Sequence, residues 1–329
     1  MVKYSQQKSG RRQGIRLVCL IGLSFIFIGK GNSAGIPFVM RTLRFKGAQF
    51  KFRNQKGEDG MAEEMMKDSY DGIPLFFRKD EVRDPRAVIL IVHGLCEHLG
   101  RYDYTTARLN EYGYSVYRFD HRGHGRSKGK RVFYSDFNQM IEDVNTFAEL
   151  AKEENPGVPV FILGHSMGGY AAACFGTRYP RKVRGIILSG GLTRYNTQCA
   201  GPLPIDDAPV DTYVPNELGD IVCSDKAVIE AYAKDLLVEK EISVGLLNSI
   251  YEGIEWLKAH PQDFTYSVLL LHGACDGLVA EKDSRDFFGD IASGDKSLII
   301  YAKLFHEILN EPCKDEVISD ITKWIDKRI

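Results

Sequence analysis

The stretch "ILGHSMGGY", residues 162–170, ends an apolar run and opens a run of small residues with one serine between glycines. Gly164-His165-Ser166-Met167-Gly168 matches G-x-S-x-G. A five-residue match is common by chance, so the flanks decide its meaning. Upstream, "VPVFIL" reads as a strand buried on both faces, and downstream "MGGYAAACFGTRY" reads as a helix. A serine on a sharp strand-to-helix turn is the setting a nucleophile elbow requires. Neighbours with a Cβ would collide there. The helix N-terminus also points backbone N–H groups toward a developing anion.

The same alternation extends outward. "AVILIVHG" (87–94), "YSVYRFDHRGHG", "VRGIILSGG", "YSVLLLHGACD" and "SLIIYAK" read as strands. Residues 102–112 and 136–154 read as helices, the second with Phe137, Met140, Ile141, Val144, Phe147, Ala148 and Ala151 at helical spacing. "IPLFFRKD" reads as part of an early hairpin, and Val317, Ile318, Ile321, Trp324 and Ile325 as the apolar face of a closing helix. Strands alternating with helices imply an α/β fold, a mostly parallel central sheet flanked by helices. Residues 196–262 break the rhythm with a Pro-rich loop and then helical patterns, including Ile242, Leu246, Leu247, Ile250, Ile254 and Leu257 on one face. The expectation is a core from 61–195 and 263–329 with an inserted helical cap at 196–262. The cap would sit over the carboxyl ends of the strands, where open α/β sheets place their sites.

Bulk properties narrow the function classes. The 329 residues are 44% hydrophobic, enough for one large or two modest domains. The net charge of −1 gives no overall basic field for nucleic acid. Seven cysteines, an odd number without a CxxC pair, imply neither a disulfide framework nor a zinc site. Nothing in the pattern implies a metal or an organic cofactor.

Residues 1–60 differ from the rest. They carry a formal charge of +10, against −11 for the remainder. Arg11, Arg12 and Arg16 precede the apolar run Leu17–Ile28, a signal-like pattern too short to span a bilayer comfortably. However, Lys56-Gly57-Glu58 can be encoded by a purine-rich ribosome-binding sequence placed before the Met61 codon. The expectation is that residues 1–60 are translated upstream sequence and that a cytoplasmic protein starts at Met61. The alternative is export or membrane anchoring through residues 11–34.

A serine hydroxyl needs a positioned base. In this architecture the order is serine, acid, histidine, with the acid after a late strand and the histidine after the last. "LLLHGACDG" places Asp276 after a strand, and "LIIYAKLFHEILNE" places His306 after the final one. Asp263 and Asp283 read as helix-cap or surface acids, and His272 as a residue that packs or hydrogen-bonds locally. "VILIV" leads into His93-Gly94-Leu95-Cys96. The backbone N–H groups of Leu95 and Met167 are therefore the candidate oxyanion donors. Cys96 reads as a small buried filler.

"HGLCEHLGRY", "FDHRGHGRSKGKR", "LGHSMGG", "GACDGLV" and "FHEILNE" together resemble the monoacylglycerol lipase / lysophospholipase group of α/β-hydrolases. The resemblance runs from about Tyr70 to the C-terminus. It weakens in the cap, where Leu236 in "AKDLLVEKEIS" stands where the group has proline. It implies hydrolysis of an acyl ester through an acyl-enzyme, with Ser166 as nucleophile, His306 as base and Asp276 as its orienter. It also implies that Glu97 and Arg101 hold the glycerol moiety directly or through water; a loop-stabilising ion pair is the competing reading. His121, Arg122 and His124 read as loop ties. An apolar tunnel for the acyl chain has Leu236, Leu237, Leu246 and Ile250 as candidates, and the cap is a candidate for transient membrane or micelle contact.

Two other functions share these features. A general carboxylesterase for short-chain or phenolic esters would use the same three residues. A non-catalytic ligand-binding protein would keep the fold alone. Peptidase relatives carry H-G-G-P-G at the loop that here reads "HGLCEH".

Overall fold

Residues 48–53 and 59–329 are described in the computed structural model of the chain. Strands β1 (Ala48–Arg53), β2 (Asp59–Asp68) and β3 (Pro74–Glu81) pair antiparallel in sequence. Then come β4 (Ala87–Val92), α1 (Asp103–Glu111), β5 (Tyr114–Phe119), α2 (Phe137–Glu154), β6 (Val160–His165), α3 (Met167–Arg178) and β7 (Gly185–Ser189). An insertion follows, with β8 (Tyr213–Pro215), α4 (Lys226–Lys234), β9 (Glu241–Ser243) and α5 (Val244–Ala259). The chain closes with β10 (Val268–Gly273), α6 (Glu281–Asp290), β11 (Lys296–Tyr301) and α7 (Lys314–Asp326).

The main sheet runs β1-β2-β3-β5-β4-β6-β7-β10-β11. From β5 to β11 all neighbours are parallel, and β3 joins β5 antiparallel. The apolar runs of the central strands explain this placement. Val88, Leu90 and Val92 face one core while Ala87, Ile89 and Ile91 face the other. Successive side chains of a strand point to opposite faces, so a strand covered on both sides must be apolar throughout. The first core is closed by Val144 and Phe147 of α2, Ala171 and Phe175 of α3 and Ile254 of α5. The second is closed by Leu109 of α1 and Val317, Ile321 and Trp324 of α7.

Two features were not read from the sequence. β1 extends the sheet edge within the basic segment assigned to residues 1–60, and β2 begins at Asp59. The signal-like stretch 11–34 and Lys56-Gly57-Glu58 lie outside the described residues, among which no helix is long and apolar enough to cross a membrane. Helix α6 is largely charged, so its apolar face is only a few residues wide. Asp283 in its first turn is buried, not a surface acid. Its carboxylate accepts from the side chain of Asn196 at 2.8 Å.

The insertion does not place all its apolar residues where the sequence suggested. Helix α5 is capped by Ser243, whose side chain accepts from Leu246 N–H. It lays Leu246, Leu247, Ile250, Ile254 and Leu257 into the first core. Leu246 is thus a packing residue and lines no described cavity wall at Ser166. Leu236 is 99% exposed, because the turn after α4, closed by Leu237 N–H on Asp235, points it away from the core. Neither leucine forms a tunnel at the serine. Leu246→Ala should cost about 2–5 kcal/mol of stability, as for other buried leucines. Urea denaturation of the variant measures the cost, and a near-neutral result would contradict this packing role.

Candidate active site

The turn at Ser166 is strained. Its φ of 54° and ψ of −118° are a left-handed conformation carried by a residue with a side chain. Such a position costs on the order of 1–3 kcal/mol and persists only where the surroundings enforce it. Here Ser166 N–H donates to Ser189 O at 3.0 Å, and its carbonyl accepts from Tyr170 N–H at 3.0 Å. The flanking glycines permit close backbone approach. A Cβ on Gly168 would stand 2.1 Å from Val92 O, and one on Gly164 would stand 2.3 Å from Gly168 O. The first turn of α3 is therefore pressed against the end of β4.

His306 follows β11 and Asp276 follows β10, so parallel neighbouring strands deliver them side by side. His306 Nδ1 lies 2.7 Å from Asp276 Oδ2. Burial opposes charging of His306, but the charge and hydrogen bond of Asp276 outweigh it, and the imidazole titrates above its ordinary value. Burial likewise works against the Asp276 carboxylate. The charge of His306 and hydrogen bonds from both His272 and His306 hold it well below the usual range nonetheless. Ser166 and His306 line one cavity, together with Leu95, Met167, Glu97 and Arg101. His165 lines it too, its ring 4.7 Å from that of His306.

The loop after β4 is fixed by a buried histidine. His93 Nδ1 lies 2.8 Å from Gly94 O, and its Nε2 accepts from His121 N–H at 2.9 Å. Since Nε2 accepts, the proton is on Nδ1, which donates to the Gly94 carbonyl. Burial lowers the pKa of His93 to about 3, which keeps the ring neutral. A peptide unit is planar and trans, so fixing the Gly94 carbonyl also fixes the Leu95 N–H on the opposite side. Among the described residues, neither Leu95 N–H nor Met167 N–H has an acceptor within the chain. His121 and His124 are buried in the same cluster, 4.6 Å and 5.6 Å ring to ring from His93. Arg122 is tied to Asp143 and Asp71.

Glu97 and Arg101 do face the cavity, and most of their polar atoms are engaged with each other or with neighbouring residues. Glu97 Oε1 accepts from Gly94 N–H at 2.5 Å and Tyr102 O–H at 2.6 Å, and Oε2 accepts from Arg101 at 2.9 Å. Arg101 then forks onto Glu307 at 2.7 and 2.8 Å. Burial alone would raise the Glu97 carboxyl, yet the Arg101 charge keeps it below its ordinary range. The pair thus acts as a clamp. It joins the loop carrying Leu95 to the loop carrying His306, and Tyr232 of α4 lies over the guanidinium at 4.8 Å. This is the geometry of a loop-stabilising ion pair, and it uses three of the five guanidinium N–H donors of Arg101.

The insertion is stapled to both loops. Val222 O accepts from Glu307 N–H at 2.7 Å, and Ser224 N–H donates to Glu311 at 3.0 Å. On the other side Cys96 O accepts from Glu239 N–H at 2.9 Å, and His98 Nε2 donates to Asp235 at 2.9 Å. Cys96 itself is wholly buried, and burial pushes its thiol up. The sequence reading missed Tyr232, Glu307, Cys199 and Leu278 as cavity residues. Only Glu307 carried a signal, its place beside His306. Cys199 and Leu278 also line a second cavity of about 460 Å³ under the insertion, far larger than the cleft of about 60 Å³ at Ser166.

A mostly parallel sheet carrying a serine on a positive-φ strand-to-helix turn defines an α/β-hydrolase. The family described as serine aminopeptidase, S33 matches residues 83–313, and the chain belongs to that family. It is 34% identical to the monoacylglycerol lipase of Mycolicibacterium smegmatis over 249 residues, covering 74% of this chain and 89% of that one. It is 32% identical to the monoglyceride lipase of Mus musculus over 258 residues, covering 74% of this chain and 84% of that one. The crystal structure of the Paleococcus ferrophilus monoacylglycerol lipase superposes with a TM-score of 0.68 at 26% identity, covering 78% of this chain and 99% of that one.

Arg101→Met should destabilise the fold by about 3–5 kcal/mol, because Glu97 and Glu307 would remain buried and unpaired. Arg101→Lys should recover only part, since an ammonium cannot fork onto a carboxylate. Urea denaturation measures both. A loss below about 1 kcal/mol for the methionine variant would place the pair among weak surface contacts.

Proposed function

We propose that the protein is a carboxylic ester hydrolase of the monoacylglycerol lipase type. Ser166, His306 and Asp276 are its nucleophile, base and orienting acid. The observation that carries this is the His306 Nδ1–Asp276 bond of 2.7 Å in a cavity that also exposes the strained Ser166. With Nδ1 engaged, His306 Nε2 is left as the proton acceptor. Ser166 Oγ attacks the acyl carbonyl as its proton passes to His306, and Asp276 stabilises the imidazolium. The oxyanion is held by the N–H groups of Leu95 and Met167, each worth about 10²–10³ in turnover. His306 then protonates the leaving alcohol, and water releases the fatty acid by the same route.

Against an aminopeptidase activity stands the loop after β4, which reads His93-Gly94-Leu95-Cys96 where peptidase relatives carry H-G-G-P-G. The larger cavity is bounded by Ile205, Val214, Ile242 and Leu247, a wall suited to an acyl chain, and its volume lies within the range of ligand pockets. Leu236, fully exposed on the insertion, supports contact of that face with a micelle or membrane surface.

A panel of monoacylglycerols of rising chain length tests the substrate class. Turnover should peak at medium or long chains and fall by about 10⁶-fold, or below detection, in Ser166→Ala. Leu236→Glu should slow hydrolysis of micellar substrates and spare monomeric ones. A peak at two to four carbons would reject the lipase assignment. Catalysis needs neutral His306, so kcat/KM should rise with pH through its pKa. Because Asp276 raises that pKa, the midpoint of the acid limb should lie above the ordinary imidazole value of 6.5. A midpoint at or below 6.5 would contradict the coupling.

A further inference from the structure

His272 lies near the end of β10, wholly buried, and lines no part of the cavity at Ser166. Its ring nevertheless has three polar partners. Nδ1 is 2.8 Å from Ser284 Oγ on α6. Nε2 is 3.1 Å from Asp276 Oδ2 and 2.9 Å from Val279 O. A carboxylate oxygen and a carbonyl both face Nε2, so Nε2 carries the proton. In the neutral tautomer this leaves a lone pair on Nδ1, to which Ser284 O–H donates. The tautomer is set from both sides.

Asp276 consequently accepts four hydrogen bonds. Oδ1 takes Leu278 N–H and Val279 N–H, each at 2.9 Å. Oδ2 takes His306 Nδ1–H at 2.7 Å and His272 Nε2–H at 3.1 Å. Val279 closes the arrangement, since its N–H fixes Oδ1 and its carbonyl anchors His272.

We infer that His272 is a positioning residue: held by Ser284, it fixes the Asp276 carboxylate and shares Oδ2 with His306, and so sets the basicity of His306. The inference rests on the triad reading above. Removing His272 leaves Oδ2 accepting from one N–H. The carboxylate then draws the His306 proton more strongly, and the imidazolium is favoured. The other groups facing this pair stay in place. Asp283 of α6 faces His272, and Glu307, Glu97 and His165 face His306.

Three variants of the full chain test it. The readouts are kcat and KM on a monoacylglycerol, the pH dependence of kcat/KM, and the His306 titration by proton NMR in a Ser166→Ala background. His272→Leu should lower kcat by about 10- to 100-fold, the worth of one hydrogen bond to a charged group, with KM little changed. It should also move the acid limb and the His306 titration to higher pH. His272→Gln, whose amide N–H reaches the place of Nε2–H, should restore most of both. Ser284→Ala should give a smaller shift in the same direction, and none in the His272→Leu background. If His272→Leu does not fold, the shift in Ser284→Ala decides. An unmoved titration, or equal impairment by leucine and glutamine, would overturn the inference alone. Turnover retained in Ser166→Ala would instead overturn the triad.

Discussion

The closest backbone approach in the site governs everything around it. Gly168 lies so near Val92 O that a side chain would stand 2.1 Å from that oxygen. This contact seats the first turn of α3 against the end of β4. It brings Met167 N–H beside the loop that carries Leu95 N–H, and it enforces the unfavourable dihedrals of Ser166. A substitution at Gly168 would therefore not remove one contact. It would separate the serine from both groups expected to stabilise its anion.

Around this junction the structure uses ion pairs and neutral imidazoles in different ways. The Glu97–Arg101–Glu307 clamp spans two loops that are 206 residues apart at the Arg101–Glu307 contact. It is buried, so its worth lies in geometry more than in net stability. His93 and His272 instead direct one group each: a peptide carbonyl for His93, a carboxylate oxygen for His272. Burial keeps the His93 ring neutral, so it orients its loop without adding a charge to the site, where the titration of His306 depends on Asp276.

Much of this was legible in the sequence, for identifiable reasons. Strands buried on both faces must be continuous apolar runs, so "AVILIV" and "VFILGH" read directly as β4 and β6. Ser166 and Asp276 stand just past such runs and His306 follows the half-buried edge strand β11, which is why their order could be read. Charged α6 offers too narrow an apolar stripe to register. Leu236 and Leu246 have the same composition signal and opposite fates, exposed and buried, because tertiary packing decides between them. The Glu97–Arg101 pair was open to reading, but its extension to Glu307 was hidden because Glu307 comes from the far end of the chain. The double hydrogen bond on Asp276 Oδ2 was hidden for a related reason: His272 and Asp276 are four residues apart in a turn whose shape no periodicity reports.

The two staples of the insertion have a consequence for how such a chain diversifies. Residues 222–224 grip the histidine loop and residues 235–239 grip the loop after β4. Ile205, Val214, Ile221, Ile242 and Leu247, from other parts of the insertion, stand in the wall of the larger cavity. Exchange at those wall positions reshapes this cavity while the staples to the two loops stay in place. Exchange of the whole insertion has to carry the staples with it. The segment behaves as a replaceable cartridge with two fixed connectors, and the connectors, more than the wall, set the limit on grafting between relatives.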